Sequence, residues 1–464
     1  MSREKEEQDS VTSPSSKVET MERENDISQR SFFSISRKVR WFIFSIELCC
    51  LANFDQGAIS ASTTEIKNYF KMTDRELGSF GGIGFLGTTL GGIFSLSIIN
   101  KFNRKYTIMS LLCTNIISLF IPTIITSKIL LMFCRILSGF SQSFNSIYLP
   151  VWVDQFGIYN KKSIMMSLIS LPSALGYLLG YIFAVLTSWK NTFHLCIIIN
   201  ISLFFCFFLS DNLYFSKTLV SKKKNDLNNT NSFNNEFDNI SLFEDISGEN
   251  STFGNESLIS QGKQCFKSKL FRMSNLSLIT LLLILSGFQF WINDYLENTV
   301  KIIDKKERLL YFLVILLINI IGAPISGGQI MQRIGGYESI NGILFPFYSC
   351  IISLISSNLL LFTTYKYFVA MLIGIYLFTG CMMIASLNGI IVSSIPKEYT
   401  GSASAISNLS YNIIGRLNGP NVYGLLRSFC GKDSRIPMVF LLDIKFITLF
   451  CLYKCIKYRK ESLS

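Results

Sequence analysis

The chain has 464 residues, 49% hydrophobic and 16% charged, with a formal net charge of +12 and a mean hydropathy of +0.38. Soluble domains carry about 25% charged residues, so this composition argues against a water-soluble globule, and 40 Phe beside only nine Pro suit long lipid-facing helices. The positive charge lies mainly in tails and short loops between apolar runs, which points to a lipid bilayer with an anionic surface and not to nucleic acid.

Residues 1–40 are rich in Ser, Glu and Lys and hold no apolar run long enough for a signal-peptide core, so they read as a disordered cytoplasmic tail. The first apolar span, 41–62, is expected to act as its own uncleaved signal. Runs of roughly 20 mostly apolar residues, enough to cross a ~30 Å hydrocarbon core, follow at 76–99, 106–126, 128–152, 164–187 and 191–213. Together 41–213 make an N-terminal six-helix bundle. Residues 214–272 are rich in Asn, Ser, Asp and Glu and read as a disordered cytoplasmic linker.

Six more spans, 274–296, 308–331, 340–362, 366–393, 400–427 and 436–456, fill a C-terminal bundle over 273–456, and 457–464 is a short basic tail. An even number of spans places both termini and the linker on one side. Lys and Arg are denser near the helix ends on that side, which makes it cytoplasmic. The triplets at Asn228, Asn239, Asn250 and Asn255 are therefore expected to stay unglycosylated. The expected fold is an all-α membrane protein with twelve transmembrane helices.

The two halves repeat. LSIINKFNRKY (Leu96–Tyr106) aligns with GQIMQRIGGYE (Gly328–Glu338), half a chain length later. Each copy is a short basic turn between two membrane-length spans, so Lys101, Arg104 and Lys105 correspond to the turn holding Gly328, Arg333 and Gly335. Such a duplication is the mark of a transporter built from repeats. The two loops are expected side by side on the cytoplasmic face, acting in conformational change.

Within the spans, the glycines from Gly78 to Gly92 allow close helix contact, and Pro172, Gly176 and Gly180 mark a bend or hinge in the fifth span. Arg135, followed by Gly139 in the fourth span, is a cation costing at least about 2.5–3.5 kcal/mol to insert, so it needs an anion or a wet cavity. At 1.5 Å per residue Asp55 lies about 21 Å above the cytoplasmic start of the first span, and Arg135 about 10 Å below the outer face. In a ~30 Å core the two depths agree. Glu47 lies too low to pair without a bend. Asp294, Arg416 and Asp443 fall in the outer parts of their spans, and Asp294 with Arg416 is the expected outer gate pair, with Asp443 competing.

These features resemble the major facilitator superfamily. Its loop pattern Gly-x-x-x-Asp-Arg-x-Gly-Arg-Lys is matched by Lys101, Arg104 and Lys105 and departs at Leu96, Asn100 and Asn103; the second copy keeps Gly328, Arg333 and Gly335 with Gln332 for the acid. Within that family the first span, with Asn53 and, allowing one deleted residue, Asp55, the stretch after it with Ile66, Tyr69 and Phe70, and the Ala- and Gly-Pro-containing eleventh span resemble the spinster-like branch, with Gln56 in place of its Arg. The resemblance implies two pseudo-symmetric six-helix bundles working by alternating access, with the first, fourth, seventh and tenth spans lining the cavity. That nominates Asp55, Gln142, Asn145, Gln289, Trp291, Asn293, Asp294 and Asn388 as substrate contacts.

The expected function is secondary transport of a small organic solute or lysolipid-like amphiphile, coupled to protons through Asp55 or Glu47. A facilitative uniporter, or a non-transporting receptor or scaffold docking partners on 214–272, is the alternative. No nucleotide loop or catalytic triad points to an enzyme, and no cofactor or metal is expected: His194 is the single histidine and the twelve Cys form no CxxC pair. A monomer is expected.

Overall fold

The computed structural model describes residues 53–156, 171–209 and 258–463, apart from 364, 397, 398 and 432, together with 43, 46, 47, 50 and 51. The expected tail and most of the expected linker lie outside the described residues. Helical residues occur in every one of the twelve expected spans. Seven helices among the described residues are each long and apolar enough to cross a membrane.

After residues 53–61 of the first span come α1 (Thr63–Tyr69), α2 (Asp74–Lys101), α3 (Arg104–Ile124), α4 (Lys128–Phe156), α5 (Leu171–Leu186) and α6 (Trp189–Phe208). The second half has α7 (Leu258–Lys267), α8 (Lys269–Asp294), α9 (Lys305–Leu317), α10 (Ala323–Arg333), α11 (Ile340–Leu359), α12 (Lys366–Ser393), α13 (Thr400–Ser410), α14 (Gly419–Cys430), α15 (Ile436–Asp443) and α16 (Lys445–Leu463). Local chemistry sets many boundaries. Asn103, Ser188, Ser268, Asp304 and Ser339 each accept a backbone N–H from the first turn of the helix they precede, which satisfies a donor that helix geometry leaves orphaned. Three π turns, Tyr295–Thr299, Ile318–Gly322 and Tyr411–Arg416, occur among the described residues of the second half, each a local widening of the helix that re-aims the side chains beyond it.

Two boundaries differ from expectation. The segment expected to stay a linker as far as 272 is helical from Leu258, because Ser268 ends one helix and caps the next. The last helix runs on through the basic tail to Leu463.

Duplication is visible in the backbone. Among the described residues, Lys71 (φ 52°) and Lys301 (φ 64°) are the non-glycine residues with positive φ, and each closes the turn after the first span of its half. The basic turns of the repeat close differently: Asn103 caps α3, whereas Gly335 (φ 96°) and Gly336 (φ 76°) end α10 in a left-handed conformation that suits glycine.

Packing explains the glycine run, and it divides α2 into two parts. Toward its C-terminal end α2 meets α4: a Cβ at Gly87 would stand 2.1 Å from the Ile136 carbonyl oxygen, and one at Gly139 2.1 Å from that of Gly84. Toward its N-terminal end α2 meets the other half: a Cβ at Gly82 would lie 2.0 Å from the Leu417 carbonyl oxygen. Side chains such as Ile117, Phe120, Ile129, Phe205, Ile352 and Phe450 stay exposed on the outside, as a lipid-facing surface requires and an aqueous one does not. Gly87→Leu is expected to force α2 and α4 apart and cost at least the ~1–3 kcal/mol of overpacking. Its measure is loss of the monodisperse peak in size-exclusion chromatography together with a lower Tm in detergent.

Candidate functional site

The first span and α4 bring together a buried polar cluster. Asp55 is fully buried, and one carboxylate oxygen, Oδ2, accepts from Arg135 Nη1 at 2.5 Å and from Ser138 Oγ at 2.9 Å. The other, Oδ1, accepts from Gln142 Nε2 at 3.2 Å and from the Gln56 backbone N–H at 2.8 Å. Gln142 also donates to Ser138 Oγ at 3.0 Å. Arg135, Ser138 and Gln142 lie three to four residues apart, one turn each along one face of α4. The guanidinium fits because position 84 has no side chain: a Cβ there would lie 2.9 Å from Arg135 Nε. Cys196 of α6 lies within electrostatic reach of Asp55.

A pair this dry stabilises little net, because desolvating both ions offsets their attraction, but removing either partner strands a buried charge at about 3–5 kcal/mol. The cluster is therefore intact only while the two helices stay together.

A second cluster joins the halves at the end of the molecule carrying the 63–73 and 295–304 segments. Arg427 of α14 pairs through Nη1 with Asp294, and its Nε stands 3.3 Å from Asp74 of α2, near enough for ion pairing though not aligned for a hydrogen bond. Asp74 also pairs with Lys67 at 2.5 Å, and Asn298 donates to Asp294 at 2.9 Å. Beside them Asn293 donates to the Ala61 carbonyl at 2.8 Å and accepts from Tyr181 and from Arg308 Nε, each at 3.2 Å. Arg308 also donates to the carbonyls of Ile302 and Ile303 and lies 3.5 Å from Glu297, which accepts from Thr64 at 3.3 Å. Lys305 pairs with Glu65 at 2.6 Å. Tyr177 donates to the Gln289 carbonyl at 3.0 Å, and the Tyr181 ring stacks on Phe312 at 4.1 Å. All these contacts between the halves lie at one end.

The remaining nominated residues divide. Trp291 is fully buried and structural, donating to the Pro420 carbonyl at 3.0 Å and packing on Tyr423. Glu47 and Asn388 are exposed, away from either cluster. The side chains of Asn145, Lys101 and Arg104 lie outside the described residues. Lys105 donates to the Phe208 carbonyl at 3.0 Å, capping the C-terminal end of α6. Arg333 is exposed, and a Cβ at Gly328 would meet open space.

The expected Asp294–Arg416 gate pair is not formed. Arg416 closes the π turn of the eleventh span, with its guanidinium 5.2 Å from the Tyr411 ring and 5.8 Å from that of Phe85. It sits eleven residues, about 16 Å of helix rise, below Arg427, which reaches the depth of Asp294. Asp443 does not compete, since it accepts from Ser357 and Asn358 at 2.8 and 3.2 Å. Arg427 and Arg308 were both missed because each stands at the end of a span, where a cation ordinarily reaches out to water; here both turn inward.

Comparison with known proteins places the family and the fold. The family model described as Major Facilitator Superfamily matches residues 48–420. The sugar transporter ERD6-like 6 of Arabidopsis thaliana is 24% identical over 170 residues, a match covering 35% of this chain and 35% of that protein's length. Among solved structures, a bacterial homologue of the human lysosomal transporter Spinster, in an inward-facing and unoccupied conformation, superposes with a TM-score of 0.68 at 11% identity, over 90% of this chain and 97% of the other. A D-xylose–proton symporter reaches 0.66 at 12% identity over 91% and 97%, and the nucleoside transporter NupG 0.66 at 12% over 91% and 99%. At such identities the likeness is one of fold.

Proposed function

We infer function from a premise of membership: the chain belongs to the Major Facilitator Superfamily, a family of transporters, and is a multi-pass integral membrane protein. On that premise it is a secondary transporter working by alternating access. Its two halves are held together at one end by polar contacts that rocking motion can break and remake. By the distribution of Lys and Arg the closed end is the non-cytoplasmic one, so the conformation described is closed to the outside.

The observation that carries the reading is Asp55. A fully buried carboxylate held by Arg135, Ser138 and Gln142, in a span expected to line the cavity, is a group whose charge depends on conformation. When the first span and α4 move apart, Asp55 loses its counter-charge and takes up a proton, and return to the closed cluster releases it. The cargo is a small organic solute or lysolipid-like amphiphile. Purified protein in proteoliposomes should accumulate substrate from an unbiased metabolite mixture when a pH gradient is imposed, and lose that accumulation when the gradient is collapsed. Binding without uptake under either condition would instead assign a receptor or scaffold role.

A further inference from the structure

The interior of the second half holds a cation that neither cluster uses. Lys445 begins α16, is fully buried, and its Nζ has no hydrogen-bond partner among the described residues. The ammonium lies 3.8 Å from the centre of the Tyr376 ring, an attraction that offsets part of its lost hydration but supplies no negative charge. Asp443 is the acid nearest along the chain, and its carboxylate is engaged by Ser357 and Asn358. Arg135, buried in the first half, has its carboxylate; Lys445 has none among the described residues.

Beside Nζ lies a small apolar pocket between α8 and α12, with Leu285, Cys381 and Ile384 at its partly exposed rim. Gly380 makes the space: a Cβ there would stand 3.4 Å from Nζ. The room beside the amine suits a group little larger than a water, which favours a carboxylate oxygen over a bulkier phosphate. The rim offers only apolar surface and a thiol. A buried cation without its anion, reached through an apolar mouth, is complementary to a small acidic head on an apolar body.

We propose that Lys445 receives the carboxylate of an apolar monocarboxylate, whose body lies across Leu285 and Ile384. The site is separate from the Asp55 cluster, and its test reads binding alone, so the outcome does not depend on whether the chain transports.

The probe is radiolabelled octanoate, with octanol as the uncharged competitor and octyl phosphate as the bulkier anion, measured by scintillation proximity on the full chain in phosphatidylcholine nanodiscs. Saturable octanoate binding is expected, with octanol failing to compete and octyl phosphate competing more weakly than octanoate itself. Lys445→Met should weaken octanoate binding at least tenfold while leaving Tm equal or higher, since it removes an uncompensated charge. Gly380→Val, which fills the space beside the amine and keeps the charge, should weaken binding similarly and decides the matter should Lys445→Met fail to fold. Absence of saturable octanoate binding to the unaltered protein overturns the proposal. So does binding unchanged in folded Lys445→Met or, where that variant does not fold, in Gly380→Val.

Discussion

Asp55→Asn is expected to abolish uptake driven by a pH gradient while leaving substrate exchange measurable. Asn keeps the shape of Asp, and its one carbonyl oxygen can still accept either from Ser138 or from the Gln56 amide, but it cannot change charge. Arg135→Ala should be worse in yield, because it leaves the carboxylate buried without its cation, a cost of about 3–5 kcal/mol, and empties the space beside Gly84. The double variant Asp55→Asn with Arg135→Gln separates the roles, since replacing both ions removes the stranded charge and should recover part of the lost stability. Uptake per folded molecule, followed against pH in proteoliposomes, checks this. If Asp55→Asn keeps the profile of the unaltered protein, the pair is architecture and the coupling lies elsewhere.

That pairing was legible in the sequence because helix geometry is rigid. Rise per residue converts position into depth, and two ionised groups of opposite sign at one depth in a low-dielectric interior have few other ways to be tolerated. The glycines of α2 were legible as packing residues for a similar reason, although only the folded chain divides them between α4 and the opposite half. Arg427 was not legible because depth arithmetic weakens at span ends, where a long side chain chooses between water and the interior. Arg416 misled for a different reason: the π turn at Tyr411–Arg416 has no local signature in NLSYNIIGR, and it sets the guanidinium against Phe85 and Tyr411. Helix α7 was hidden by the polar composition around it. The family, by contrast, was readable from the repeated loop, because a short basic turn recurs at the same place in each half, with Lys101 opposite Arg333.

Arg427→Ala should open the end of the molecule that the described conformation keeps shut. Arg427 binds Asp294 in its own half and lies against Asp74 in the other, so its loss removes the cation shared between the halves and leaves Asp294 with Asn298 alone. Asp74 keeps Lys67 and is partly exposed, so its share of the cost is reduced by solvent, and most of the effect comes from Asp294. In an open conformation water solvates both carboxylates, and the penalty falls selectively on the closed one. A selective cost of even ~3 kcal/mol shifts a two-state population by roughly a hundredfold, so an ensemble closed about 10:1 should become open about 10:1. Spin labels at Lys71→Cys and Lys301→Cys, exposed positions on the matching turns of the two halves, report this as a longer distance in pulsed electron resonance, using a background without the native cysteines. Combining Arg427→Met with Asp294→Leu should return part of the population to the short distance, since an apolar pair strands no charge. An unchanged distance distribution in folded Arg427→Ala would mean that the Gly78 and Gly82 contacts with α14 and its preceding turn hold the end closed by packing alone.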